Sequence, residues 1–271
     1  MTAPIRRERF DLHAAGHRLQ AERLTPSHDA AASPTLVFLH EGLGSISQWG
    51  AFPAQLCAQT GLPGLVYDRW GYGRSEALTG SRPDDYLHWE AENSLPEVLA
   101  VSGIIEPPIL FGHSDGGSIA LLFAAAYPEQ AHAVISEAAH VFIEEICLAG
   151  IRRAGDAYAQ GAWRAGLHRH HGDSVDLIFR GWHDTWLRPS RRHWNIEAVL
   201  GQVLCPTLII QGEDDEYGSR AQVDAIAAGV AGPTEILWLP GCGHAPHHQS
   251  REAVLDIAAN FINGVCSNIE H

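Results

Sequence analysis

Pro108-Ile-Leu-Phe-Gly112-His113-Ser114-Asp115-Gly116-Gly117-Ser118-Ile-Ala-Leu-Leu-Phe-Ala-Ala-Ala126 reads as a short apolar strand that turns abruptly into a helix of small residues. Its centre, Gly112 to Gly116, is G-x-S-x-G in the one context that makes the pattern informative, strand before and helix after. So sharp a turn leaves no room for side chains at its flanks, which accounts for the glycines sterically. It also lifts the Ser114 hydroxyl out of the sheet and puts the Asp115 amide at a helix N-terminus, where it can stabilise charge on an oxygen. Ser114 is therefore a candidate nucleophile.

The same alternation extends in both directions. Thr35 to His40, Gly64 to Asp68, Ala133 to Ser136, Thr207 to Gln211 and Glu235 to Leu239 are further short apolar runs, most closed by Gly, Asp or His. Helix-like segments lie near residues 47–60, 86–103, 115–127, 219–230 and 250–263. Buried runs alternating with helices imply a mostly parallel sheet covered on both faces, with function at the carboxyl ends of its strands. Arg9 to His13 and Arg18 to Leu24, parted by Ala-Ala-Gly, suggest an antiparallel hairpin at one edge.

One interval breaks the rhythm. His140 to Val203 separates two strands and is too long for a bare loop, so it is expected to be a helical cap, with segments at Ala149 to Arg164 and Val175 to Trp186. The core domain is then residues 1–139 and 204–271, and the cap 140–203. Four of the eight tryptophans, Trp163, Trp182, Trp186 and Trp194, fall in the cap and suit the roof of an apolar or aromatic pocket.

A serine nucleophile needs a base, and the base an orienting carboxylate. Gly212-Glu-Asp-Asp215 closes one strand in an acidic turn, and Gly241-Cys-Gly-His244 follows the next. Among 17 histidines only His244 combines a strand-end position, flanking glycines and a place after the acid. His247 and His248 are expected at the rim, and His168, His170 and His171 as exposed cap histidines rather than a metal site, since carboxylate or cysteine partners at a familiar spacing are lacking. Glu137 and His140, after the strand that follows the Ser114 helix, are pocket candidates by position.

Bulk properties narrow the partners. With 18 Lys and Arg against 32 Asp and Glu, the formal net charge is -14, which argues against nucleic acid and anionic lipid. Five scattered cysteines without a C-x-x-C pair read as reduced thiols. The N-terminal residues carry no apolar run of signal-peptide length, and the expected location is cytoplasmic. The expected partner is a small-molecule substrate, with homodimerisation left open and neither cofactor nor metal required.

These motifs, at consistent spacing from about Arg9 to Ile262, make the chain resemble capped α/β-hydrolases, the group of meta-cleavage-product hydrolases, enol-lactonases and small carboxylesterases. The resemblance implies an eight-stranded, mostly parallel sheet with a helical cap. It also selects Asp215 over Asp214, because the group's acid is usually third after the strand-end glycine, and completes a Ser114–Asp215–His244 triad. The His40-Glu41-Gly42-Leu43-Gly44 turn stands where the group completes its oxyanion hole, so Gly42 is implied as the donor beside Asp115. Glu41 departs from the usual glycine. A carboxylate aimed inward would oppose the developing charge, so Glu41 is expected to point away, toward a histidine or the cap. Asp68-Arg-Trp-Gly71-Tyr-Gly73-Arg-Ser75 matches the group's D-x-x-G-x-G-x-S turn and is structural.

The implied chemistry is acyl transfer through Ser114, with carboxylic ester hydrolysis the first expectation and Glu41, His140, Trp182 and Trp186 the candidate substrate contacts. Carbon–carbon bond hydrolysis of a ring-cleavage product, lactone or thioester hydrolysis, and a small-molecule receptor of slow turnover are the alternatives.

Overall fold

The computed structural model describes residues 4–27 and 33–267. Eight strands form one sheet in the order β1-β2-β4-β3-β5-β6-β7-β8. β1 (Ile5–Ala14) and β2 (His17–Pro26) are the antiparallel edge hairpin, and β2 pairs antiparallel with β4 (Gly64–Tyr67). β3 (Leu36–Leu39), β4, β5 (Ile109–His113), β6 (Ala133–Glu137), β7 (Thr207–Gly212) and β8 (Thr234–Leu239) run parallel. The sheet is mostly parallel, as the repeating apolar runs require.

β3 to β7 are buried along their whole length, and their side chains sort by parity into two cores. Leu36, Phe38, Ile109, Phe111, Ile135, Leu208 and Ile210 face α1 (Ile46–Trp49), α2 (Phe52–Thr60) and, near the C-terminus, α12 (Arg251–Ser267). Val37, Leu39, Leu110, Val134 and Ile209 face the opposite layer. There lie α3 (Tyr86–Trp89), α4 (Leu95–Val101) and α5 (Asp115–Ala126). The segment read as one helix over 86–103 is interrupted by a π-helical turn, Glu90–Ser94, which ends two residues before Pro96.

Between β6 and β7 the chain runs through α6 (Glu145–Ala159), α7 (Ala162–His171), α8 (Val175–Trp186) and α9 (Glu197–Leu200). The helix expected from Ala149 to Arg164 instead begins at Glu145 and stops at Ala159, because Gly161 adopts φ 92° and redirects the chain into α7. α10 (Arg220–Gly229) links β7 to β8, and α11 (Pro246–Gln249) follows His244. No described helix is long and apolar enough to cross a membrane.

Candidate active site

The turn after β5 holds Ser114 at φ 52° and ψ -115°, a conformation costly for a residue with a side chain. The strain is sustained by close packing. A Cβ on Gly116 would lie 1.9 Å from the Leu39 carbonyl oxygen, so only glycine lets α5 start so near β3. The Ser114 N–H is anchored on the Glu137 carbonyl at 2.8 Å.

Ser114 Oγ donates to His244 Nε2 at 2.9 Å, and His244 Nδ1 lies 2.9 Å from both Asp215 carboxylate oxygens. A carboxylate only accepts, so the Nδ1 carries the proton and Nε2 is free to take one. Asp215 also accepts from the Tyr217 N–H at 2.8 Å, the Gly218 N–H at 3.2 Å and Gln211 Nε2 at 2.6 Å. Burial alone would raise its carboxyl, but His244 and the Tyr217 amide outweigh burial and hold it well below the usual carboxylate range. Asp214 and Glu213 are exposed.

The Gly42 and Asp115 N–H groups, among the described residues, have no hydrogen-bond partner. Trp182 covers Gly42 so closely that a Cβ there would sit 2.3 Å from Trp182 Cδ1. The Asp115 carboxylate, 1% exposed, turns into the protein. It accepts from Tyr86 Oη at 2.6 Å and lies 3.5 Å from the fully buried Arg69 guanidinium, which offsets its charge. Tyr86 Oη in turn accepts from Trp186 Nε1 at 2.9 Å.

A cavity of about 390 Å³ opens over Ser114. All four candidate contacts, Glu41, His140, Trp182 and Trp186, line it, together with Leu43, Ile151, Leu167 and Tyr217. Of the four tryptophans between β6 and β7, Trp194 alone is not in its wall. Tyr217, whose ring centroid is 4.7 Å from that of His244, carried no sequence signal beyond its closeness to Asp215.

Several expectations are corrected. Glu41 does not point away: it lines the cavity and its carboxyl lies within electrostatic reach of His244, while its backbone carbonyl closes a tight turn with the Gly44 N–H and accepts from Arg69. Burial raises its carboxyl and His244 lowers it, so the fold favours the neutral acid more than water would. His247 is no rim residue. It is 3% exposed and its Nδ1 donates to Glu137 at 2.9 Å, so Glu137 is committed there and does not line the cavity. His171 is buried as well, accepting from the Gly73 N–H and donating to the Leu43 carbonyl at 2.8 Å, which fastens α7 to the loop carrying Gly42. His140 donates from Nε2 to the Tyr217 carbonyl; burial alone would lower it, but Cys147 and Asp215 push it up to about 9. Among the described residues no group of His, Cys, Asp or Glu is arranged to hold a metal ion.

Comparison with known proteins gives this geometry a setting. The model of the family described as alpha/beta hydrolase matches residues 36–257. A proline iminopeptidase of Lactiplantibacillus plantarum is 37% identical over 97 residues, 35% of this chain and 32% of that protein, so the match spans about a third of the relative's length. Human serine hydrolase BPHL is 25% identical over 207 residues, 73% of this chain and 68% of that protein. A 2-hydroxy-6-oxononadienedioate/2-hydroxy-6-oxononatrienedioate hydrolase of Comamonas testosteroni is 19% identical over 261 residues, 87% of this chain and 90% of that one.

Proposed function

The chain belongs to the alpha/beta hydrolase family, and on that footing we propose that it is a serine hydrolase cleaving a carboxylic ester of a small, apolar or aromatic substrate. The observation that carries the reading is the unbroken Ser114–His244–Asp215 chain of hydrogen bonds at the floor of a cavity walled by Trp182, Trp186, Leu43 and Ile151. His244 takes the Ser114 proton as the oxygen attacks the ester carbonyl, and Asp215 stabilises the imidazolium that forms. The Gly42 and Asp115 amides receive the oxyanion. His244 then protonates the departing alcohol, leaving an acyl-Ser114 ester. A water molecule, deprotonated by His244, attacks that ester and releases the acid. The tryptophans hold the apolar part of the substrate, and Glu41 and His140 its polar atoms. The substrate partner is a small molecule, and the reaction needs neither metal nor cofactor.

A second reading is hydrolysis of a carbon–carbon bond next to a ketone, favoured by the Comamonas relative, which this chain matches over 90% of that protein's length. Both readings require Ser114. Wild type and Ser114→Ala are to be treated with a fluorophosphonate and with p-nitrophenyl esters and a 2-hydroxy-6-oxodienoate, labelling being read by intact mass and turnover by absorbance. Labelling and ester turnover that both vanish in the variant are expected. Turnover of the dienoate with none of the esters would replace the first reading by the second, and a folded wild type that neither labels nor turns over would end both.

A further inference from the structure

The nucleophile and its base sit on chain segments far apart in sequence, and their separation depends on what ties those segments together. Three buried side chains outside the catalytic trio supply the ties. His113, immediately before Ser114 and 3% exposed, donates from Nε2 to the His244 carbonyl at 2.7 Å. Only the ring can be the donor, so His113 is held as the Nε2–H tautomer. Burial pushes its imidazole down to about 3, so it stays neutral in this role.

The second tie runs the opposite way. Glu137 pairs in register with His113 across β5 and β6, and its backbone carbonyl receives the Ser114 N–H. Its carboxylate, fully buried, accepts from the His247 backbone N–H at 2.5 Å and from His247 Nδ1 at 2.9 Å. His247 lies three residues beyond His244, packed against Trp49 and Phe52 and 4.8 Å in ring centroids from His113. The segment carrying the base is thus gripped at the His244 carbonyl and again at His247, each time by a residue bonded or adjacent to Ser114. Water does not compete for these bonds, so they constrain position far more than the exposed Glu216 contact to the His244 N–H at 3.3 Å.

We propose that His113, Glu137 and His247 form a clamp that sets the Ser114–His244 separation, and that they are positioning residues for the hydrolytic reaction. Glu137 and His247 lie outside the cavity, and His113, which borders it, acts in this role through its bond to the His244 carbonyl. The inference rests on Ser114 as nucleophile and His244 as base, and the experiment keeps the two claims apart.

His113→Leu removes the donor at similar volume, while His113→Gln keeps an N–H able to reach the His244 carbonyl. Urea unfolding checks that each variant is folded. With p-nitrophenyl esters, His113→Leu is expected to lose roughly tenfold to a hundredfold in kcat with KM within about twofold, as for a misplaced rather than a missing group. His113→Gln should recover most of that loss. The fluorophosphonate labelling rate should follow kcat, and the proton resonance of the His244–Asp215 hydrogen bond should shift or broaden in His113→Leu and return in His113→Gln. Should His113→Leu not fold, His113→Asn replaces it, its amide being one methylene too short to reach. A folded His113→Leu with wild-type kcat and labelling, or an equal loss in His113→Gln, overturns the clamp while leaving the nucleophile intact. A wild type that the fluorophosphonate fails to label overturns instead the reading of Ser114 on which the clamp rests.

Discussion

Asp215 is ionised in a place that would discourage a charge, because the groups around it make ionisation worth more than burial costs. Its carboxyl is lowered in the fold, so the folded state binds that proton more weakly than the unfolded chain does. The stability it adds is therefore present above the unfolded carboxyl value and is lost as pH falls below about 4. Asp215→Asn removes this contribution and leaves an amide that can orient the imidazole in the wrong tautomer. Activity on a p-nitrophenyl ester at pH 7 should drop by roughly 10³- to 10⁴-fold. In urea titrations the stability advantage of wild type over Asp215→Asn should be full near pH 6 and shrink toward pH 3. An advantage that instead grows as pH falls would mean that the carboxyl is raised, and that His244 is not its principal partner.

At the scale of elements, the turn that offers the Gly42 amide and the helix that roofs it are fitted to one another. A methyl group on Gly42 would need the space occupied by Trp182 of α8, so Gly42→Ala must displace either the indole or the loop. A loop moved by a fraction of an ångström misdirects the proposed oxyanion donor, and kcat should fall by roughly 10²-fold. In a Trp182→Leu background the same change has room, and its cost should be smaller by more than about 1 kcal/mol, a coupling that a double-mutant cycle reads directly. Effects that add within about 0.5 kcal/mol would show that Trp182 does not confine the loop. Relations of this kind separate what the sequence discloses from what it hides. Strands β3 to β8 are legible because each is a contiguous apolar run closed by a turn residue. Ser114 is legible because only small neighbours fit its turn. The burial of His171 and His247 and the inward aim of Glu41 are not local properties. His247 differs from the exposed His248 only in facing Glu137, a residue 110 positions away. No periodicity records that pairing, and the break at Gly161 inside the Ala149 to Arg164 segment is hidden because its positive φ leaves the neighbours' composition unchanged.

Across the whole molecule, the helices between β6 and β7 are not an independently packed layer. Cys147 and Ile151 of α6 and Ile178, Phe179, Trp182 and Trp186 of α8 belong to the same apolar core as Leu110 of β5 and Ile119 of α5. Polar links reinforce this union: Trp186 Nε1 donates to Tyr86 Oη, Arg188 donates to the Arg82 carbonyl at 3.1 Å, and Arg191, 1% exposed, donates to the Asp84 carbonyl. Exposing α6 and α8 therefore means opening the core of the sheet, whereas α7 is different. Only His171 of its residues is buried, while Trp163, Leu167 and Arg169 border the cavity. Of α6, α7 and α8, α7 thus has the fewest apolar contacts to give up and is tied down chiefly by the His171 bonds, so its movement uncovers the cavity at the lowest cost of the three. In native-state hydrogen exchange, amides of α6 and α8 should exchange with the slow, globally limited class of β5 and β6, and those of α7 orders of magnitude faster. If α6 and α8 exchange as fast as α7, the helices open together as a lid, and access to Ser114 is governed by that larger motion rather than by α7 alone.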